Sequence, residues 1–286
     1  QAKQAKQVRQ AKQAKQAKQV KQAKQSKAKS QQAKKAKRLP NTQAGFENLI
    51  LNRRISMDSL WLAPAIWKEN SGPIDEEVFR TQGVHIGLDL SMKNDLTCAV
   101  ISAKDDDGIV HVKAFSFTPQ EGIEERSRRD RVPYDQFARD GHIQAVPGAT
   151  VDYDWVAQFL KIHILDAGIV IHSIQFDRWR IDLFAAASER MGLVANAWEP
   201  VGQGYKDISP RVEQMETLLL QKKIRHGDDP VLNLGASSAI VVADPAQNRK
   251  LEKAKSGNKI DGIIAMLMAV GVYGDDSEID VLGMIG

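Results

Sequence analysis

The residues best suited to chemistry in this chain are three aspartates at the ends of apolar segments. Asp89 lies within one apolar run, Asp177 directly follows another, and Asp261 stands at the start of a third. An ionised carboxylate away from water costs several kcal/mol unless it is paired or bound to a cation. Carboxylate oxygens are ligands that Mg²⁺ and Mn²⁺ prefer. If the three segments meet, they could hold two divalent ions about 4 Å apart, which would activate a water molecule and stabilise a leaving oxygen.

Each aspartate also has a purely structural explanation. Asp89 could open a turn, and Asp177 could form an ion pair with Arg178 or Arg180. Asp261 could be a helix-terminal acid favoured by the helix dipole. Each acid alone is therefore a weak signal, and the metal-site hypothesis depends on all three meeting at one place.

Several other kinds of site have no support in the sequence. Cys98 is the single cysteine, which excludes a disulfide framework and a cysteine-based zinc site. The six histidines are scattered without metal-ligand spacing, and no Gly-x-Ser-x-Gly motif marks a serine nucleophile. No apolar run reaches the roughly 18 residues that a membrane span needs, so a transmembrane segment is excluded.

The elements that must position the aspartates form a mixed α/β pattern. The segments 84–90, 97–102 and 109–117 have strand composition, and Asp107-Gly108 marks a tight turn, which together predict an antiparallel meander. The patterns then alternate, with helices predicted over 152–167, 180–191, 211–222 and 260–272, and strands over 169–176 and 194–198. This order predicts a mixed sheet, first antiparallel and then parallel, flanked by helices. The polar segment 118–133 predicts a mobile loop.

The positive net charge comes from one end of the chain. Residues 1–38 carry twelve lysines, two arginines and no acid, which gives this segment a net charge of +14. Because the net charge of the whole chain is +4, the remaining 248 residues have a net charge of −10. The segment is a near-repeat of Gln-Ala-Lys, whose period of three leaves no apolar stripe for packing. Such a tail binds polyanions, DNA included, in a salt-dependent manner. The alternative is a solvated low-complexity tail with no specific role.

Several motifs, in matching order, resemble those of phage terminase large subunits. The matching stretches are Ile86-Gly87-Leu88-Asp89-Leu90-Ser91 with Asn94-Asp95-Leu96-Thr97, Phe176-Asp177-Arg178-Trp179, Lys259-Ile260-Asp261-Gly262, the segment from Gln203-Gly204-Tyr205 to Met215-Glu216, and Phe46-Glu47-Asn48-Leu49 with Leu51-Asn52-Arg53. The first three are similar to the first catalytic strand and to the second and third nuclease motifs of that family. The resemblance covers roughly residues 39–275.

The resemblance implies a C-terminal nuclease domain with an RNase H-like fold, which cuts concatemeric double-stranded viral DNA during packaging. It implies two Mg²⁺ or Mn²⁺ ions held by Asp89, Asp177 and Asp261, with Asp95 as a further ligand. It also implies the portal protein and the small terminase subunit as partners, no membrane association, and the host cytoplasm as the compartment. The candidates for DNA contacts are Arg126, Arg128, Arg129, Arg131, Arg178 and Arg180.

One departure from the family is large. Its N-terminal ATPase motor has a phosphate-binding loop, and no Gly-x-x-x-x-Gly-Lys-Ser/Thr motif occurs here, so ATPase activity is not expected. Another hypothesis, an ATPase of the RNase H-like superfamily, is weak because the paired Gly-rich phosphate loops are missing. A catalytically inactive DNA-binding or assembly remnant of a prophage terminase is the alternative, and a scattered arrangement of the acids would favour it.

The predicted organisation has four parts. They are the basic tail 1–38, a linker or strap 39–80, the nuclease domain 81–275 and a C-terminal tail 276–286. Trp61 and Trp67, on either side of Pro64, predict that the strap is extended and lies against the body. The chain opens on Gln1 rather than Met, so it is expected to be part of something longer.

Overall fold

The structure, a computed structural model, describes residues 59–91, 96–178, 181–253 and 259–274. The strands are β1 Ser59–Leu60, β2 Val84–Asp89, β3 Thr97–Lys104, β4 Val110–Pro119, β5 Ile143–Val146, β6 Ile171–Phe176, β7 Ala197–Pro200, β8 Ile224–Arg225, β9 Ala239–Ala243 and β10 Arg249–Lys253. The helices are α1 Pro64–Lys68, α2 Glu76–Gln82, α3 Ile123–Asp130, α4 Tyr134–Arg139, α5 Tyr153–Leu160 with a π-helical continuation Lys161–Leu165, α6 Ile181–Met191, α7 Tyr205–Leu220, α8 Pro230–Ser238 and α9 Asp261–Val270. The predictions for 1–38, 39–58 and 276–286, and those for Asp95 and Arg180, lie outside the described residues.

The central sheet has the strand order β5-β4-β3-β2-β6-β7, and β8 adds to β4. Strand β3 runs antiparallel to both of its neighbours, β2 and β4, whereas β6 is parallel to β2 and β7 is parallel to β6. A meander on one side of the first long strand and parallel strands on the other is the RNase H-like arrangement. The predicted fold class is therefore confirmed.

A short turn closes the meander between β3 and β4. The side chain of Asp105 accepts hydrogen bonds from the backbone N–H groups of Asp107 (3.0 Å) and Ile109 (2.7 Å). Gly108 has a φ of 73°, a left-handed conformation that glycine adopts without a steric penalty. The turn therefore forms where the Asp-Gly pair predicts it.

The two faces of the sheet pack against different helices. Val84, Ile86 and Leu88 of β2 belong to the apolar core beneath α5 and α6, which also contains Leu160 and Phe184. Because successive side chains of a strand point to opposite faces, the intervening positions of β2 face the other layer. That layer contains α9 and α7.

The close approach of α9 to β2 depends on a glycine. A Cβ atom on Gly87 would lie 1.9 Å from the backbone oxygen of Ala265 and 2.7 Å from the backbone nitrogen of Ala269. At the other end of the same contact, the Ser102 hydroxyl donates a 2.9 Å hydrogen bond to the carbonyl of Ala269. The helix therefore lies directly on the backbone of the strand.

The prediction of a mobile loop over 118–133 is wrong, because this segment contains helix α3. The side chain of Arg126 donates to the carbonyl oxygens of Glu121 (2.7 Å) and Pro119, which fastens the helix to the end of β4. No residue of α3 is buried, so its sequence has no apolar period. That is why its composition resembles that of a loop.

The strap predicted to be extended contains two short helices in its described part. Pro64 begins α1 at a position where its missing N–H costs nothing, and the Asp75 side chain caps α2 by accepting from the Glu77 N–H at 3.0 Å. Trp61 and Trp67 are buried. Residues from Leu60 onward belong to the same compact unit as the sheet.

A second, smaller sheet has the order β1-β9-β10. Its hairpin is held to α7 by Arg249, whose Nη1 donates to both carboxylate oxygens of Glu216 at 3.0 Å. Glu216 is buried. No helix in the described part of the chain has the length and apolar character needed to cross a bilayer.

Candidate metal and nucleic-acid site

Two of the predicted aspartates stand at the same edge of the central sheet. Asp89 is the last residue of β2, and Asp177 directly follows β6. The parallel register pairs Leu88 with Phe176, so the next residue on each strand is one of the two aspartates. Gly87 and Gln175 stand two positions earlier on the same strands and contact α9 and α7, so Asp89 is on the sheet face that these helices cover.

The third aspartate reaches this edge through helix α9. Asp261 is the first residue of α9, and Ala269 near the other end of the helix accepts a hydrogen bond from Ser102, whose register partner on β2 is His85. A Cβ atom on Gly262 would lie 3.9 Å from the Sγ atom of Cys98, and Cys98 is the register partner of Asp89. The N-terminus of α9 therefore lies at the carboxyl end of β2, where the prediction requires it.

The buried thiol of Cys98 is affected by the charges of this edge. Burial raises the pKa of Cys98 well above its usual value, the negative charges of Asp261 and Asp89 raise it further, and a hydrogen bond to the Ser116 hydroxyl opposes them. This agrees with the backbone geometry, in which Asp89 is the register partner of Cys98 and Gly262, next to Asp261, lies against the thiol. A thiol with a raised pKa stays protonated at neutral pH and is a poor nucleophile.

The donor set at this edge fits a hard cation. Asp89, Asp177 and Asp261 supply only carboxylate oxygens, the ligand type of Mg²⁺ and Mn²⁺. All three residues are half-buried, so water is partly excluded from them. Within the described ranges, no three His, Cys, Asp or Glu side chains are arranged as a metal-ligand group. The elements that carry the three acids therefore meet at one edge, whereas their side chains, all within the described ranges, are not arranged as a ligand group there. Asp95 belongs to a segment outside the described residues.

A further acid at this edge was missed by the sequence analysis. The charge of Asp229 also raises the pKa of Cys98, and burial raises the pKa of Asp229 itself. One oxygen of Asp229 accepts from the N–H groups of Val231 (2.9 Å) and Leu232 (2.8 Å), which caps helix α8. An aspartate before Pro230 and an apolar run is a helix-start signal that could have located it.

Five of the six arginines predicted to contact DNA lie in the described part of the chain, and their surroundings differ. Arg126 is directed towards backbone carbonyls, and burial lowers its pKa. Arg128, Arg131 and Arg178 are exposed. Arg129 is bound to its neighbour Asp130 by two hydrogen bonds of 2.7 and 3.1 Å.

The class of protein that the fold defines is the RNase H-like α/β domain. The chain matches the family model described as terminase large subunit, endonuclease domain, over residues 5–276, and it belongs to this family. It is 43% identical over 234 residues to the terminase large subunit of Enterobacteria phage HK97, covering 82% of this chain and 45% of that protein.

A solved structure agrees with this, and one further curated protein is similar over part of its length. The crystal structure of the HK97 large terminase has a TM-score of 0.69 and 41% identity, covering 85% of this chain and 49% of that chain. Protein YmfN of Escherichia coli strain K12 is 23% identical over 207 residues, covering 68% of this chain and 44% of that protein. The chain therefore spans about half the length of the curated relatives that it matches.

Proposed function

We propose that this chain is the metal-dependent DNA endonuclease part of a viral DNA-packaging terminase large subunit. It would cut concatemeric double-stranded DNA with two Mg²⁺ or Mn²⁺ ions held by Asp89, Asp177 and Asp261, with Asp95 as a further ligand. The observation that carries the proposal is the meeting of β2, β6 and the N-terminus of α9 at one edge of the sheet. Family membership supports it independently.

The chemistry at this edge is the hydrolysis of a phosphodiester bond. Divalent ions bound there would lower the pKa of a water molecule and stabilise the charge on the leaving 3′ oxygen. The three aspartates would hold the ions, and their half-buried position would limit competition from bulk water. The charge of −10 outside the tail repels DNA, so cations of the chain must guide the strand. The exposed side chains of Arg128, Arg131 and Arg178 are suited to phosphate contacts, as is Arg180 by its place in the sequence.

The remaining proposals come from the family. The substrate is double-stranded viral DNA in the host cytoplasm, and the partners are the portal protein and the small terminase subunit. These partners would join the chain to a packaging motor.

The test is the cleavage of supercoiled plasmid by the 286-residue chain. We expect nicked and linear DNA with Mn²⁺ or Mg²⁺, no cleavage in excess EDTA, and little cleavage with Ca²⁺, whose looser coordination misplaces the attacking water. Asp89→Asn and Asp177→Asn should abolish cleavage. Asp106→Asn is the matched control, because it removes the same charge at a distance from the site. Asp106 lies in the turn after β3, whereas Cys98, the register partner of Asp89, lies near the start of that strand.

Two outcomes would contradict the proposal. Cleavage that persists in excess EDTA would exclude the metal-dependent reaction. Normal cleavage by both Asn variants would exclude these aspartates as ligands. Plasmid binding without cleavage under every metal condition would favour the inactive remnant instead.

A further inference from the structure

Asp130 and Arg129, at the end of helix α3, form an ion pair whose two side chains differ in solvent exposure. The Nε and Nη2 atoms of Arg129 donate to the two carboxylate oxygens of Asp130 at 2.7 and 3.1 Å. The side chain of Asp130 is only 17% exposed, whereas that of Arg129 is 50% exposed. A largely covered acid therefore holds a half-exposed arginine. A guanidinium held at two points has lost much of the rotational freedom of a free surface side chain.

The chain around Asp130 is itself well fixed. The hydroxyl of Tyr134 donates to Oδ2 of Asp130 at 3.4 Å, and Tyr134 is buried. Arg131 has a φ of 55°, a left-handed conformation that turns the chain from α3 into α4. The N–H of Val132 returns to the carbonyl of Ser127 at 3.1 Å, and the Ser127 hydroxyl accepts from the Asp135 N–H at 3.2 Å. We call residues 127–135 the α3–α4 corner.

The α3–α4 corner stands on the same side of the sheet as the candidate metal edge. Helix α3 follows the end of β4, where Ser116 pairs with Cys98, and Cys98 in turn pairs with Asp89. Burial raises the pKa of the Tyr134 phenol, and the negative charges of Asp130 and Asp261 raise it further, so Asp261 acts on the same hydroxyl that contacts Asp130. Lys259, two residues before Asp261, acts on Asp130 in turn.

We infer that Asp130 and Tyr134 are positioning residues, which hold Arg129 in place to contact a DNA phosphate next to Asp261. The inference rests on the proposed function, because it takes Asp261 as part of the cleavage site. Arginine suits this task since its planar fork matches the oxygens of a phosphate. Fixing it in advance reduces the entropy that is lost when DNA binds. Arg126 is excluded from this role by its bonds to Pro119 and Glu121.

The inference predicts an effect opposite to that of simple electrostatics. Asp130→Asn removes a negative charge from a surface that binds a polyanion, so charge alone predicts tighter DNA binding. If Asp130 orients Arg129, the same change weakens binding. Tyr134→Phe removes only the hydroxyl and keeps the buried ring, so it tests the orientation without changing any charge.

The experiment measures KM and kcat for cleavage of a plasmid in Mn²⁺, together with the affinity for a short fluorescein-labelled DNA duplex in EDTA. We expect Arg129→Gln to raise KM and Kd about tenfold, the size of one charge-assisted contact. Asp130→Asn and Tyr134→Phe should raise both constants about threefold, part of that contact, and leave kcat within about twofold. Arg129→Lys should fail to restore the wild-type values, because an ammonium cannot be held at two points.

The matched control is a second surface ion pair on helix α2, which precedes β2 and so lies at the end of that strand away from Asp89. Arg80 donates to Glu77 at 3.1 Å, and its side chain is similarly exposed. Glu77→Gln and Arg80→Gln should leave KM and Kd unchanged, which would show that losing any surface ion pair is not enough. Thermal melts of all variants report whether the fold is intact.

The results separate this inference from the proposed function. If the wild type cleaves DNA and Asp130→Asn binds it equally or more tightly, the positioning role is wrong while the endonuclease stands. If the wild type does not cleave, the proposed function fails, and the duplex affinities still decide whether Arg129 contacts DNA and whether Asp130 and Tyr134 orient it.

Discussion

Replacing Gly87 by alanine should separate the two elements that carry Asp89 and Asp261. The added methyl group would lie 1.9 Å from the Ala265 oxygen and 2.7 Å from the Ala269 nitrogen. Both are backbone atoms, so no change of side-chain rotamer can relieve the overlap. Ordinary contacts of this kind lie near 3.5 Å, so α9 would have to withdraw from β2 by about 1.5 Å.

The cost follows from this displacement. Overfilling a packed interior usually costs about 1–3 kcal/mol, and a clash with backbone on one rigid helix belongs at the upper end. For a domain of this size, ~3 kcal/mol corresponds to a fall in Tm of roughly 6–12 °C. The effect on cleavage should be larger than stability alone explains, because a misplacement of about 1 Å at a reacting centre can reduce the rate about a hundredfold.

The assay compares Gly87→Ala with Gly274→Ala in thermal melts and in plasmid cleavage well below either Tm. A Cβ atom on Gly274 has no neighbour within 4 Å, so this control adds the same methyl group without a clash. We expect a large loss of both stability and cleavage for Gly87→Ala and neither for the control. A Gly87→Ala protein with wild-type Tm and cleavage would show that α9 does not lie on β2 as described.

Three further predictions follow from charge and burial. Asp89→Asn or Asp177→Asn should leave the Tm of the metal-free protein unchanged or slightly higher, because neutralising one crowded acid relieves repulsion; a marked fall in a melting experiment would give these acids a structural role. Deleting residues 1–38 should weaken duplex binding at low salt and flatten its salt dependence, since lysine–phosphate contacts act by counterion release; identical salt titrations would exclude the tail from binding. Burial lowers the pKa of His226, which stacks on Trp67, so the unfolded chain takes up the proton first and stability falls as the pH drops below about 6.5. His226→Gln should reduce this fall in pH-dependent melts, and an unchanged pH profile would contradict the assignment.

The sequence is sufficient to locate the three aspartates because each ends or begins an apolar segment. Residues with strand composition precede Asp89 and Asp177, and an apolar helical segment follows Asp261. These signals are local, so they can be recognised without any knowledge of the fold. Their meeting at one edge then follows from the topology, since parallel strands direct their carboxyl ends to the same side of a sheet. The antiparallel meander is similarly local, because Asp105 and Gly108 fix its second turn.

The α3–α4 corner was not predictable from the same signals. Helix α3 has no buried residue, so its charged sequence has no apolar period to distinguish it from a loop. Which arginine is directed inward is also invisible in the sequence, because Arg126 and Arg129 stand on the same short polar segment. The structure separates them by their acceptors, which are backbone carbonyls for Arg126 and a carboxylate for Arg129.

The position of Asp261 depends on residues that have no functional group. Gly87 allows α9 to lie on the backbone of β2, and Gly262 brings the start of that helix to Cys98, opposite Asp89. Neither glycine has a side chain that could take part in chemistry, although the distance between the acids depends on both. The two glycines differ, however, because a methyl group on Gly262 would first meet the tip of the Leu232 side chain at 3.2 Å, which can move. Gly87 therefore determines the geometry of the edge more strictly than Gly262, since its neighbours are backbone atoms that cannot give way without moving the helix that carries Asp261.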